Sequence, residues 1–157
     1  MKNNFQVLAI DASKHAKLFD YDEQKLKDIG AVRSQVESKP GTPCRVSLQD
    51  ADIGEEVILF PFKHHDVDSP YQATGPIFIR KNAVTAKLPI NKVPKMLLHR
   101  TLSLRCYDES AMMIDARTIH GESLANEVDD ALNNSAVEYI HVHNAGPGCY
   151  NCSIHRT

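Results

Sequence analysis

Most of this chain alternates apolar and polar residues with a period of two, the signature of half-buried strands; only short stretches carry a helical period. Near the start, "NFQVLAI" sets Phe5, Val7 and Ala9 on one face and Leu8 and Ile10 on the other. This predicts a strand covered on both sides. "DYDEQKLKDIG" predicts a short helix with two candidate starts. With Asp20 as cap, Glu23 completes a capping box. With Asp22 as cap, Lys25 takes that place and Tyr21 and Leu26 fill the staple positions. In either case Gly30 is placed for the left-handed residue that ends a helix.

Strand patterns then dominate. "AVRSQVES" is followed by the turn "KPGTP" and by "CRVSL", where Cys44, Val46 and Leu48 share a face. "EEVILFPF" is nearly all apolar, as a buried strand is, and "GPIFIRK" alternates around Ile77 and Ile79. Between these two, "FKHHDVDSPYQATGP" reads as a long loop, of the kind that often serves function. Pro94 can open a short helix through Leu98. "TLSLRCYD" and "AMMIDARTI" predict paired strands across the turn "DES". "GESLANEVDDALNN" is the best helix: Leu124, Val128, Ala131 and Leu132 form one stripe, and Glu122 lies where the helix dipole favours a negative charge. "VEYIHVHN", a Gly-Pro-Gly turn and "YNCSIHR" predict a closing hairpin.

Eight or nine short strands with two or three helices make the expected class α+β, with a mostly antiparallel, curved sheet and the late helix on one face. The 157 residues contain no repeat or linker, so one domain spanning 1–157 is expected, large enough to form a core without staples. With 18 basic and 20 acidic residues, no strong positive field favours a nucleic-acid partner, and the absence of Trp removes the best stacking platform. The longest early apolar run, Phe5 to Ile10, is too short for an export signal or a membrane span, which makes a cytoplasmic location the expectation. In that compartment Cys44, Cys106, Cys149 and Cys152 are expected as free thiols or metal ligands rather than disulfides.

Candidate chemistry concentrates in "YIHVHNAGPGCYNCSIHRT". On a strand, His141 and His143 point the same way, with Val137 and Tyr139. Cys149 and Cys152 have the C-x2-C spacing, so a tetrahedral zinc site of His141, His143, Cys149 and Cys152 is one reading, with His155 as a spare. The His/Cys order is the reverse of familiar zinc fingers, and all four ligands sit in one hairpin. A second reading makes Cys149 a nucleophile on a Gly-rich turn, with His143 as base and Asn144 as its orienter. A third leaves the hairpin quiet, its histidines hydrogen-bonded and its cysteines packed. Haem attachment is excluded because Ser153, not His, follows Cys152.

Elsewhere, His64, His65, Asp66 and Asp68 could ligate an ion, or form a solvated loop. Asp115 lies among Met113, Ile114 and Ala116. If it faces inward it needs a partner, Arg105 or Arg117. No phosphate-binding Gly motif or Ser nucleophile elbow occurs.

At "PGTPCRVSLQDADIGEEVILFPF", "SPYQATGPIFIR", "LSLRCYDESAMMIDAR" and "IHVHNAGPGCYNCSIHR" the chain resembles the bacterial domain-of-unknown-function family twelve-oh-three, from about Lys39 to the end. The resemblance implies a single-domain bacterial protein without an assigned activity. The family's "HNA" and "GC" elements are matched by His143, Asn144, Ala145, Gly148 and Cys149. Cys152 and His155 depart from its pattern, which counts against the full two-His, two-Cys zinc site. The resemblance draws attention to Arg45 and Tyr71, which with His141 are candidate ligand-binding residues. The function expected is a small-molecule binding or regulatory domain whose polar pocket lies between the C-terminal hairpin and the 63–75 loop. A Cys149 enzyme and a zinc-binding module are the alternatives.

Overall fold

The alternating stretches pair into two five-stranded sheets. A computed structural model describes residues 2–157. The first sheet comprises β1 (Phe5–Leu8), β7 (Thr101–Tyr107), β8 (Met113–His120), β9 (Tyr139–Asn144) and β10 (Tyr150–Arg156), in the order β1-β10-β9-β7-β8. The second comprises β2 (Val32–Gln35), β3 (Pro43–Cys44), β4 (Gln49–Asp50), β5 (Glu56–His65) and β6 (Ala73–Arg80), in the order β2-β5-β6-β3-β4. Among the described residues, only the β3–β6 pairing is parallel. With helices α1 (Glu23–Asp28), α2 (Lys95–Leu98) and α3 (Leu124–Ala131), the fold is α+β, as the patterning predicts.

Two larger cores follow from this layout. In the first, Leu102, Leu104, Ile140, Val142, Cys152 and Ile154 turn one face of the first sheet toward Leu124, Val128, Ala131 and Leu132, the stripe expected of α3. In the second, Ile58, Phe60, Ile77 and Ile79 of the second sheet pack with Leu18, Leu26 and Tyr150. Because Tyr150 belongs to β10, this core joins the two sheets face to face.

Of the two candidate starts for α1, the chain uses Asp22, whose side chain accepts from the Lys25 amide at 2.8 Å. Gly30 takes φ 75° beyond the helix end. Strand β1 buries Phe5 and Val7 but leaves Leu8 exposed, because it is an edge strand with one covered face. "CRVSL" is not a strand. After Cys44 the chain turns, with the Leu48 amide bonded to the Cys44 carbonyl at 2.9 Å and Leu48 at φ 52°. Cys44, Val46 and Leu48 are still buried, so the alternation names the right residues for the wrong reason.

The largest departure bears on function. The expected long loop after Phe62 is short. Strand β5 continues through His65, which pairs with Ala73 of β6 beyond a register shift, and only residues 66–72 connect the two strands. The sequence pattern ends the strand at Phe62 because the next positions are polar. They stay extended because His64 and His65 pack against aromatic and histidine rings of the other sheet.

Candidate metal centre

Strand alternation places the site. On β9, Ile140 and Val142 enter the first core, so His141 and His143 face the second sheet. On β5, Phe60, Phe62 and His64 alternate on the face toward the other sheet. The His64 ring stacks on Tyr150 with centroids 5.4 Å apart. The two sheets thus bring His64 from one side to His141 and His143 from the other. One ring nitrogen from each of the three lies within 4.8 Å of the other two. Among the described residues these three are the one group of histidines, cysteines or carboxylates that converges in this way.

Hydrogen bonding defines the nitrogens further. His143 Nδ1–H donates to the Gly148 carbonyl at 2.9 Å. This leaves Nε2 as the unprotonated nitrogen of the ring, with its lone pair free. Gly148 sits at φ 82°, and the turn it closes aims that carbonyl. Glycine takes this conformation without steric cost. His143 Nε2, His141 Nδ1 and His64 Nδ1 are buried and have no hydrogen-bond partner among the described residues. An unpaired buried polar atom costs about 1–3 kcal/mol, and native interiors hold few of them. Here three of the four buried side-chain atoms without a partner belong to one cluster.

All three imidazoles are held neutral. Burial, followed by the positive field of Arg105, lowers the His64 pKa to about 4. Burial, then the neighbouring imidazoles, lowers His141 to about 2. Burial lowers His143 to about 3 despite its bond to Gly148, with Arg105 again opposing the charged form. Neutral imidazole is the form that binds metal.

His65 is committed elsewhere. Its Nδ1–H donates to the Tyr71 carbonyl at 2.7 Å, and the Tyr139 hydroxyl donates to its Nε2 at 2.5 Å. With both nitrogens used, it buttresses the cluster, its ring 5.0 Å from that of His141. Tyr71 contributes this carbonyl and an edge contact to Tyr107, itself stacked on Tyr139.

The cysteines do not join the histidines. Cys152 pairs with Val142 and, like it, is packed in the first core, on the far face of the sheet. Burial raises its thiol pKa to about 12, so it stays protonated and apolar. Cys149 lies in the turn, where Asn144 Nδ2 donates to its sulfur at 3.4 Å; Asn144 in turn accepts from Asn151. Asn144 thus serves Cys149 directly rather than orienting His143, and no hydrogen bond joins His143 to Cys149 among the described residues. Arg45 is buried, donating to the Tyr150 carbonyl at 2.8 Å and the Pro43 carbonyl at 2.6 Å, which ties β10 to the second sheet. His155 leans on Tyr139 and Ser153 outside the cluster. Asp66 and Asp68 are exposed or nearly so, Asp66 beside Lys63. A broad surface cleft lies elsewhere, lined by Asp50, Arg80, Lys87 and His99, and none of the three clustered histidines reaches it.

Residues 41–156 match the model of a family described as "Protein of unknown function (DUF1203)". The chain belongs to this family. No curated protein and no solved structure matches the chain. All three histidines lie inside the segment that defines DUF1203 membership, as do Arg45, Asn144 and Cys149. Of the sequence-predicted metal ligands, His141 and His143 meet; the third, His64, joins them and not His65, Asp66 and Asp68, with which the sequence groups it in an expected loop. Its signal was the run Phe60-Pro61-Phe62-Lys63-His64, whose alternation carries the strand past its apolar end.

Proposed function

We propose that this domain binds one divalent transition-metal ion, zinc or a close analogue, through His64, His141 and His143. The observation that carries the reading is the convergence of His64, His141 and His143, one ring nitrogen of each lying within 4.8 Å of the other two, in a cluster where each ring also has a buried nitrogen without a hydrogen-bond partner among the described residues. Imidazole suits zinc, copper, iron and nickel, whereas calcium and magnesium prefer oxygen ligands. Zinc bound at about 2.0–2.1 Å to each nitrogen would draw a tetrahedral set to about 3.3 Å apart, an adjustment within reach of imidazole tilting. The carbonyl of Gly148 behind His143 supports it, since metal-bound histidines donate their other N–H to such an acceptor. Three protein ligands leave a fourth position open, the arrangement of a reactive rather than a purely structural zinc site.

Metal analysis of protein purified without chelator tests this. The expected result is about one equivalent of zinc, or its uptake after dialysis, with a His141→Leu variant holding well under one tenth of that. Folded wild-type protein that takes up neither zinc nor cobalt would overturn the reading.

A further inference from the structure

We infer that the open position of this site takes an oxyanion, a carboxylate or phosphoryl group, held between the metal ion and Arg105. The inference rests on the metal reading above. Arg105 of β7 is the direct cross-strand neighbour of His141 on β9. Side chains so placed stand about 5 Å apart on the same face of the sheet. Arg105 is part-buried, yet it makes no hydrogen bond or ion pair with any described residue. The carboxylate that sequence reasoning offered it, Asp115, is taken by Arg117 at 2.9 Å, and Arg117 is further held by Glu127 and Asp130.

The strand positions beside β9 on this face carry nothing negative. Along the paired strands, Ser103 lies opposite His143, Arg105 opposite His141 and Tyr107 opposite Tyr139. On the other side of β9, Tyr150, Ser153 and His155 occupy the corresponding places. None is acidic. A dication on three neutral imidazoles beside an unpaired guanidinium gathers three positive charges around the buried His141 and His143. Such charge is stable only when an anion answers it. Guanidinium presents a fork of donors matched to two oxygens of a carboxylate or phosphate, so the anion is one whose second oxygen reaches past the metal.

The probe is the protein loaded with cobalt(II), whose visible bands report the coordination of the ion. Inorganic phosphate and acetate are titrated separately at constant ionic strength set with perchlorate. In wild type, at least one of the two is expected to shift the bands saturably, and the tighter of them names the group recognised. Arg105→Gln is expected to bind cobalt as wild type does while binding that anion at least tenfold more weakly, with Arg105→Lys between them. Cobalt bands that neither anion moves, or an Arg105→Gln variant with undiminished anion affinity, would overturn this inference and leave the metal site standing. Failure of wild type to bind cobalt would remove both.

Discussion

The two faces of β9 are buried alike and built from opposite chemistry. Ile140 and Val142 are 0% exposed on one side, and His143 and His141 are 0% and 6% exposed on the other. The first side meets helix α3 and an apolar core in which every group is content without a partner. The second meets β5 of the other sheet and leaves three imidazole nitrogens unpaired among the described residues. Burial therefore does not separate a core from a site; satisfaction of polar atoms does. Apolar contact on the first face stabilises the fold whatever the solution contains. On the second face, stability is expected to depend on what is bound there.

Truncation of the silent face gives the largest effect. Ile140→Ala should cost about 2–5 kcal/mol of unfolding free energy through lost contacts and a residual cavity. Urea denaturation should give the same loss with and without zinc. A loss that depends on zinc would mean that the two faces are coupled through the strand. Next comes the response to metal itself: at free zinc one hundred times the dissociation constant, wild type should gain about 2.7 kcal/mol, whereas His141→Leu should gain nothing. Equal gains in both would break the comparison.

This contrast also explains what could be read from the chain. The apolar face was legible, because period-two and helical stripes name Ile140, Val142, Leu124 and Val128 without ambiguity. His141 and His143 were legible as a pair for the same reason. Their partnership with His64 was not, since His64 follows Phe62 and Lys63 in what reads as the start of a polar loop, whereas the pairing of His65 with Ala73 shows that the strand runs on through it. Nor could the division into two sheets be read, because alternation fixes which face a residue takes but not which strand it meets. The C-x2-C spacing misled for a local reason. Between Tyr150 and Cys152 the β9–β10 register shifts, and Cys152 comes to face the core beside Val142. The burial of Arg45 gave no signal at all, since an arginine held by two backbone carbonyls has no sequence pattern.

A smaller effect, of opposite sign, sharpens the comparison most. In metal-free protein, His141→Leu removes a buried unpaired nitrogen and supplies an apolar side chain of similar size. It is expected to be neutral or to stabilise by up to about 1–3 kcal/mol, while abolishing metal uptake. His143→Leu should gain less, because it also breaks the bond to the Gly148 carbonyl. A bond of that kind is worth about 0.5–1.5 kcal/mol. Thermal and urea unfolding in the presence of a chelator read both. Destabilisation of His141→Leu by several kcal/mol would show that the imidazole is part of the packing rather than reserved for a ligand.

The smallest effect should fall outside both faces, at a paired carboxylate. Neither face of β9 carries a carboxylate, so carboxylate-linked acid sensitivity has to come from pairs such as Asp50 with Arg100, at 2.6 Å and with side chains 8% and 14% exposed. Burial pushes the Asp50 carboxyl up, but its bonds to Arg100 and His99 outweigh that and hold it below the usual carboxylate value. A carboxyl lowered in the folded state adds stability that is full above the unfolded pKa, near about 4, and fades as pH falls through the folded value. Asp50→Asn should thus cost about 1–2 kcal/mol at pH 7 and nearly nothing at the acid limit. The difference between wild type and variant, measured by urea unfolding from pH 7 down to pH 3, should shrink steadily below about pH 4. It should do so equally in a His141→Leu background, since the pair and the histidines share no partner. A difference that stayed constant with pH would assign the contribution of Asp50 to packing instead of charge.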